Sequence, residues 1–176
     1  MTNFHFRFAG IWYEIERIPL PGQEQLPSCV TAIFGVNGQK SNIKLPITIH
    51  ACDQNGNCGQ KSGQLMSNSS PSKLFLVYPD GNHLKFIIKR LTVIGSFLEP
   101  FKHSFTIVST DYDDYAIVYD CQQMDANFVV ETGSILSRQR DLRPEMNHIV
   151  NGVLNRMNVD QLKFKSIDQT KCVRNN

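Results

Sequence analysis

Cysteines are the most reactive side chains of this sequence, and their spacing indicates what chemistry they serve. The chain has five, without the paired C-x-x-C pattern of a zinc site: Cys29, Cys52, Cys58, Cys121 and Cys172. Scattered cysteines favour disulfide bonds, which persist in oxidising compartments. Cys52 and Cys58 flank a short polar turn, Asp53 to Asn57, so a local disulfide is feasible there. Because five is odd, at least one cysteine lacks a partner within this chain.

Two carboxylates follow the only tryptophan of the chain, in the run GIWYEIERIP from Gly10 to Pro19. The run is typical of a β-strand, whose side chains alternate between two faces. Alternation predicts one face with Trp12, Glu14 and Glu16 and another with Tyr13, Ile15 and Arg17. A buried carboxylate requires an arginine, hydroxyl or amide partner. We therefore expect Glu14 to pair inside the protein.

Enzymatic use of these groups would require an activated thiol beside a base, or paired carboxylates at a substrate. No histidine adjoins Cys121 in the sequence, and no other nucleophile and base stand at motif spacing. The cysteine spacing predicts no metal site either. We therefore predict that the protein is not an enzyme.

Composition and charge bear on two broad classes of protein, disordered chains and nucleic-acid-binding proteins. The chain has 176 residues, of which 41% are hydrophobic and 19% charged, and its net charge is +2. These values exclude a disordered chain and give no support for nucleic-acid binding. No apolar run approaches the roughly 18 residues of a membrane-spanning helix, and the N-terminus lacks a signal-peptide core. The protein is either intracellular or has lost a leader, and the scattered cysteines and the sequon at Asn68 favour secretion.

Short strand patterns separated by turn residues fill the chain as far as residue 138. Nine stretches fit strands: Gly10–Pro19, Cys29–Val36, Asn42–Ala51, Gly59–Ser67, Leu74–Tyr78, His83–Gly95, His103–Thr110, Tyr115–Cys121 and Phe128–Arg138. Pro46 within the third stretch predicts an edge strand or a bulge, because proline donates no hydrogen bond to a ladder. This cadence is the signature of an antiparallel sandwich or barrel.

The period changes only after Pro144. Apolar residues then recur at helical spacing on one face, at Met146, Ile149, Val150, Val153, Leu154 and Met157. Pro144 suits the first helical turn and Asn158 suits the stop. The stripe predicts a helix that packs against the outside of the β structure, followed by a short strand, Gln161 to Ser166.

Three separated motifs resemble those of the lipocalin family: Gly10-x-Trp12 on the first strand, Thr110-Asp111-Tyr112 between two late strands, and Arg138 before the helix. The local sequences STDYDDYAIVYDC and ILSRQ are most similar to apolipoprotein-D-like and arthropod bilin-binding lipocalins. The resemblance implies an all-β fold, an eight-stranded antiparallel up-and-down β-barrel with one C-terminal α-helix packed outside. It implies one domain over residues 1–176, with the barrel at about 10–138, the helix at about 143–157 and a C-terminal strand and tail at 160–176.

The family barrel has eight strands, one fewer than the strand-like stretches of this chain. One stretch between Asn42 and Phe101 is therefore surplus. A long hairpin over His83 to Gly95 that covers or alters the mouth of the barrel is one explanation. At the other end, the resemblance implies that Trp12 plugs the barrel and Arg138 lies across its ring, so neither residue is catalytic.

The resemblance also assigns the cysteines. Cys29 and Cys172 match a bridge that ties the tail to the barrel, and Cys52–Cys58 is then an additional local bridge. Cys121 matches a cysteine whose family partner lies upstream of the residues present here. It should face outward, either as a free thiol or as one that has lost its partner to a trimmed N-terminus.

For function, the resemblance implies a secreted carrier of a small hydrophobic ligand inside the barrel, with a bilin such as biliverdin as the first candidate. Alternatives are a fatty acid, a sterol or a carotenoid, while a lipocalin-type isomerase or a signalling module that acts through its loops is less favoured. No metal, nucleic acid or membrane span is expected, and self-association stays open. We expect ligand contacts at Phe34, Phe86, Ile88, Arg90, Phe105, Ala116, Val118, Asp120, Phe128 and Val130.

Overall fold

The structure, a computed structural model, describes residues 4–23, 25–36, 44–70, 72–77, 103–170 and 172. A short helix, α1 (Phe4–Phe8), precedes eight strands: β1 (Gly10–Arg17), β2 (Ser28–Phe34), β3 (Lys44–Cys52), β4 (Cys58–Ser70), β5 (Lys73–Val77), β6 (His103–Thr110), β7 (Tyr115–Gln123) and β8 (Val129–Ser137). After them come helix α2 (Pro144–Arg156), a 3₁₀ turn (Gln161–Lys163) and a two-residue strand, β9 (Lys165–Ser166).

The sheet closes on itself as an eight-stranded antiparallel barrel. Each strand from β1 to β8 pairs with its neighbour in sequence, and β1 also pairs with β8, where Glu14 lies opposite Leu136. Closure removes the unpaired strand edges that would otherwise promote aggregation. The predicted fold class, a barrel with one helix after it, is confirmed.

The barrel closes without the stretch His83 to Gly95. β5 pairs directly with β6, with Leu74 opposite Phe105, so the eight strands of the wall are complete among the described residues. The surplus stretch belongs to residues 78–102, which lie outside the described residues.

Pro46 lies inside β3, and the expectation of an edge strand or a bulge there is wrong. β3 is paired on both sides, and its register with β4 is continuous from Lys44 opposite Met66 to Cys52 opposite Cys58. Gly35 N–H donates to Pro46 O at 2.8 Å, so the backbone of Pro46 faces β2 just beyond its last residue. The missing N–H of proline therefore removes no hydrogen bond from the ladder.

The two ends of the barrel are built from different connections. One end holds α1, the beginning of β1 and the β6–β7 turn at residues 111–114, and we call it the base. The other end, the mouth, holds the hairpins at residues 53–57 and 124–128.

Two apolar clusters lie on the two faces of the barrel wall. The interior cluster consists of Phe8, Trp12, Ala32, Phe34, Leu45, Ile47, Leu65, Leu74, Leu76, Ile107, Ala116, Val118 and Leu136. The outer cluster joins Val150, Val153 and Leu154 of α2 to Ile117 and Ile135 of the wall. α2 therefore packs outside the barrel, but its buried stripe is narrower than predicted, because Ile149 is 43% exposed and Met157 lies beyond the helix end.

The segment after α2 extends the sheet beside β1. The predicted strand Gln161 to Ser166 is wrong in its first half, which forms the 3₁₀ turn because Asp160 accepts a hydrogen bond from Leu162 N–H. β9 then pairs with the end of β1, and Ile167 N–H donates to Ile15 O at 2.8 Å.

Gln169 fastens this tail between the first two strands. Its buried side-chain amide donates to Glu14 O at 2.9 Å and to Val30 O at 2.8 Å. The ladder between β1 and β2 ends at the pair Tyr13 and Thr31. The amide therefore bridges the two strands where their own hydrogen bonds have stopped.

Two disulfides form in the structure, as the sequence and the resemblance implied. Cys29–Cys172 ties the tail to β2 across a sequence separation of 143, and Cys52–Cys58 closes the β3–β4 hairpin across a separation of 6. Cys121 is exposed and free among the described residues.

The two disulfides should contribute unequally to stability. A cross-link restricts the unfolded chain more when it closes a longer loop, so removing the Cys29–Cys172 pair by serine should lower the free energy of unfolding by about 5 kcal/mol. Removal of Cys52–Cys58 should lower it by about 2 kcal/mol. Urea unfolding followed by tryptophan fluorescence measures both. A larger loss for the hairpin pair would contradict the role given to the tail.

Candidate functional site: the barrel interior

Aromatic side chains fill the base of the interior. Trp12 is fully buried, and its Nε1 donates to Phe8 O at 2.8 Å. The Phe8 ring stacks on Trp12 and meets Phe34 edge-on, with centroids 4.9 Å apart in both pairs. Phe105 follows from β6, with its centroid 5.7 Å from that of Phe34. The base is therefore packed core.

Arg138 seals the base from outside. Its guanidinium carbon lies 3.8 Å from the centroid of the Trp12 ring. Its nitrogens donate to three backbone oxygens, of Tyr112 at 3.0 Å, Ile11 at 2.8 Å and Arg7 at 3.0 Å. Burial lowers the pKa of Arg138, while the carboxylates of Asp113 and Asp111 act in the opposite direction. One cation thus joins α1, β1 and the β6–β7 turn.

The other motif residues give Arg138 its room and its acceptor. Gly10 has a φ of +97°, and a Cβ there would lie 3.3 Å from Arg138 Nη1, so glycine suits both the backbone and the contact. Thr110 Oγ1 accepts from Tyr112 N–H. The Asp111 carboxylate accepts from the N–H groups of Asp113, Asp114 and Tyr115. These bonds fix the turn that presents Tyr112 O to Arg138.

A bulge in β1 changes which side chains enter the interior. Glu14 lies opposite Leu136, which belongs to the interior cluster. Glu16 lies opposite Ile135, which belongs to the outer cluster, so one residue of β1 has no partner in the ladder. Glu16 therefore faces outward and Arg17 inward, the reverse of what alternation predicted for both. Burial beside the outer face raises the pKa of Glu16.

Arg17 pairs with the buried carboxylate of Glu14. Arg17 Nε donates to Glu14 Oε1 at 3.0 Å and Nη2 donates to Oε2, a two-pronged ion pair. Ser134 Oγ of β8 also donates to Glu14 Oε1. The side chain of Glu14 is 5% exposed and that of Arg17 is 26% exposed. Glu14 thus pairs inside the protein as expected, and we call these three residues the Glu14 cluster.

Above the base, the two sides of the interior differ in polarity. Asp120 lies opposite Thr132 and Gln122 opposite Val130, and these pairs continue the interior rows of β7 and β8 toward the mouth. Together with the Glu14 cluster they form a polar wall on β7, β8 and β1. The apolar wall lies across from it on β3 to β5 and consists of Leu45, Ile47, Ile49, Leu65, Leu74 and Leu76.

Four of the predicted ligand residues belong to the interior cluster or pack against it. Ala116 and Val118 are buried on the inward face of β7. Phe34 and Phe105 belong to the aromatic layer of the base, where they meet each other.

The other predicted ligand residues are more dispersed. Asp120 and Val130 are partly exposed on the polar wall. Phe128 lies in the hairpin before β8 and is 47% exposed, because its backbone oxygen accepts from Met124 N–H at 2.8 Å and the strand begins one residue later. Three of the residues lie outside the described residues: Phe86, Ile88 and Arg90.

The outer face of β7 and β8 carries a separate polar network. Tyr119 Oη donates to Glu131 Oε1 at 2.8 Å, and Lys163 Nζ pairs with the other oxygen. Burial, and then the hydrogen bond to Glu131, raise the pKa of Tyr119. Cys121 lies opposite Glu131 on this face. The free thiol is therefore outside the barrel, as expected.

Neither a metal cluster nor a membrane-spanning helix occurs in the described part of the chain. No three His, Cys, Asp or Glu side chains there are grouped to hold a metal ion. No helix in that part is long and apolar enough to cross a bilayer.

Known proteins share both the sequence pattern and the barrel. The model of the lipocalin / cytosolic fatty-acid binding protein family matches residues 95–171. Apolipoprotein D of Macaca fascicularis is 27% identical over 168 residues, which cover 94% of this chain and 77% of that protein. Insecticyanin-B of Manduca sexta is 26% identical over 171 residues, which cover 92% and 71%. The solved structure of insecticyanin from Manduca sexta matches with a TM-score of 0.70 at 23% identity, over 94% of this chain and 80% of that one.

The chain is thus similar to lipocalins in part of its sequence and in its barrel. Two polar residues of this barrel were not found by sequence reasoning. Arg17 was placed on the opposite face, because no sequence signal marked the bulge that turns it inward. Gln169 carried no motif, and its only hint was its position three residues before the tail cysteine.

Loss of Trp12 should weaken the fold of this protein before it changes ligand choice. Trp12→Ala should lower the free energy of unfolding by about 3 to 5 kcal/mol, because a buried aromatic ring leaves a cavity when it is removed. Urea unfolding followed by circular dichroism measures the loss. A Trp12→Ala protein of unchanged stability and altered ligand selectivity would contradict the placement of the base.

Arg138 should contribute more to the free energy of unfolding than a nearby arginine whose guanidinium lies over another aromatic ring. Arg138→Met removes the contact with Trp12 and three hydrogen bonds, and should cost about 3 kcal/mol. Arg140, whose guanidinium carbon lies 5.1 Å from the centroid of the Tyr13 ring, provides the control, since Arg140 is exposed. Arg140→Met should cost less than about 1 kcal/mol. Equal losses in thermal or urea unfolding would show that Arg138 does not seal the barrel.

Proposed function

We propose that this protein is a lipocalin that acts as a secreted carrier of a small hydrophobic ligand, and that the ligand is a bilin such as biliverdin. The contrast between the two walls of the interior carries the proposal. The apolar wall on β3 to β5 suits a conjugated hydrocarbon surface, and the polar wall on β7, β8 and β1 offers hydrogen-bonding groups.

The spacing of the polar wall favours a bilin over a ligand with one polar end. Successive inward residues of β8 are two positions apart, so Ser134 and Thr132 are separated by about 7 Å along the strand. Asp120 and Gln122 repeat the same interval on β7. Polar groups are thus spread along the depth of the interior. A linear tetrapyrrole carries ring nitrogens along its length and a lactam C=O at each end, whereas a fatty acid or a sterol has its polar group at one end and a carotene has none.

The carboxylates of a bilin would stay near the mouth. Lys61 lies opposite Ile49 in the β3–β4 ladder, and cross-strand neighbours share a face, so Lys61 stands on the inward face of β4. It is exposed, near the mouth end of its strand. A cation there suits the propionate groups of biliverdin while the ring system lies deeper.

Carriage rather than catalysis fits the placement of the reactive groups. The free thiol of Cys121 faces outward, and the carboxylate of Glu14 is occupied by Arg17 and Ser134. The two disulfides favour an oxidising compartment, which supports secretion. The resemblance of STDYDDYAIVYDC and ILSRQ to arthropod bilin-binding lipocalins supports the same ligand class.

Titration with biliverdin tests the proposal. Addition of the pigment to purified protein should shift and intensify its visible absorption band and quench the emission of Trp12, with saturation at one pigment per chain. No spectral change at micromolar protein would remove bilins from the candidates. Retention of a fatty acid, sterol or carotenoid from a lipid mixture would then identify one of the alternatives.

Two adjacent glutamines provide a matched test of where the pigment lies. Gln122 lies opposite Val130 on an inward row near the mouth, and Gln123 lies opposite Val129 on the outer face and is exposed. Gln122→Phe should narrow the entrance and weaken biliverdin binding about tenfold, the effect of about 1.4 kcal/mol of lost contact. Gln123→Phe should leave the visible titration unchanged. Equal effects of both changes would place the pigment outside the barrel.

A further inference from the structure

The Glu14 cluster is a charged group on the inner wall of the barrel. It belongs neither to the contacts that close the base nor to the polar network on the outer face of β7 and β8. Glu14 and Arg17 belong to β1 and Ser134 to β8, so the cluster lies on the seam where the barrel closes. Burial of an ion pair rarely adds stability over packed apolar side chains, so its presence inside a ligand barrel calls for another role.

We propose that Arg17 donates a hydrogen bond to a neutral oxygen in the head group of the ligand, a carbonyl or a hydroxyl. Glu14 makes the site reject free carboxylates. The inference rests on the proposed function, because it assumes that the interior holds a ligand. It names the chemistry of the deep end of that ligand.

The hydrogen bonds of Arg17 leave donors for a ligand. A guanidinium has five N–H groups, and Glu14 takes one from Nε and one from Nη2. Those are the hydrogen bonds of the Arg17 side chain among the described residues. Because Glu14 binds the Nε and Nη2 edge, the Nη1 groups remain for an oxygen acceptor. The side chain is 26% exposed, so it is not enclosed by the residues around it.

The charges around Arg17 determine which kind of ligand oxygen can bind to it. Glu14 already neutralises Arg17, and Asp120 adds a further negative charge to the same polar wall, on β7 beyond the intervening strand β8. The other inward cation described on the wall, Lys61, stands near the mouth on β4. A ligand carboxylate at Arg17 would therefore be desolvated beside the carboxylate of Glu14 and an arginine that is already neutralised, which is unfavourable. A carbonyl or hydroxyl oxygen accepts the same hydrogen bond without adding charge.

Retinol and retinoic acid test this inference, since they share one carbon skeleton and differ in a hydroxyl or a carboxylate head group. Their affinities are measured at neutral pH by quenching of Trp12 emission. The wild-type protein should bind retinol at least about tenfold more tightly than retinoic acid, the size of one hydrogen bond to a charged donor. Glu14→Gln keeps the shape of the side chain and frees the charge of Arg17, so it should shift the ratio toward retinoic acid by about tenfold or more.

Glu16→Gln is the matched control, because the same change on the same strand faces outward. It should leave the retinol to retinoic acid ratio unchanged. The double variant Glu14→Gln/Arg17→Met removes both charges and keeps the volume, so it guards against a single variant that fails to fold. It should bind retinol about tenfold more weakly than the wild type while its thermal unfolding stays cooperative.

Three results would overturn the inference: a wild-type preference for retinoic acid, equal ratios in the Glu14→Gln and Glu16→Gln proteins, or wild-type retinol affinity in the double variant. Failure of the proposed bilin function is distinguishable, because the wild-type protein would then show no visible spectral change with biliverdin, whatever the ratio of its retinol and retinoic acid affinities. A wild-type protein that binds neither biliverdin nor either retinoid would overturn both proposals.

Discussion

The contact between Arg138 and Trp12 joins the end of the last barrel strand to the beginning of the first, and the rest of the barrel depends on it. A closed sheet needs its first and last strands in register, and the indole ring provides a surface that only the closed arrangement covers. Arg138 adds hydrogen bonds to α1 and to the β6–β7 turn, so three segments distant in sequence meet at one side chain. The base can therefore be packed with side chains, and the interior above it can bind a ligand.

The bulge in β1 determines the character of that interior. Without it, Arg17 would face solvent and Glu14 would be a buried carboxylate without this cation, which is costly. With it, the carboxylate and the guanidinium neutralise each other on the inner wall next to Ser134. One irregular residue thus adds a charged pair to the polar wall of the barrel. On the other edge of β1, Gln169 of the tail bridges β1 and β2 beyond the end of their ladder.

Much of the fold was predictable from the sequence because its signals are local or part of a fixed motif. Alternation and turn residues predicted most strands to within a few residues, and the helical stripe predicted α2. The closure of the barrel was implied by the resemblance of three separated motifs, which contain Gly10, Tyr112 and Arg138, to those of lipocalins. Periodicity failed where the backbone departs from regularity: at the β1 bulge, at Phe128 before β8, and in the 3₁₀ turn beside Asp160. Pro46 misled because its consequence depends on where the neighbouring strand ends, which a single strand does not reveal.

The interior was less predictable than the fold, because its chemistry depends on which side chains meet across strands. Alternation found Ala116, Val118 and Asp120, whereas the pairing of Arg17 with Glu14 required the register. The central claim is that this interior carries a bilin. Mass spectrometry and visible absorption of an extract from the protein purified from its native source test it most directly. The account predicts one tetrapyrrole per chain with a visible band, and an extract that holds only colourless lipid, or no small molecule at all, would contradict it.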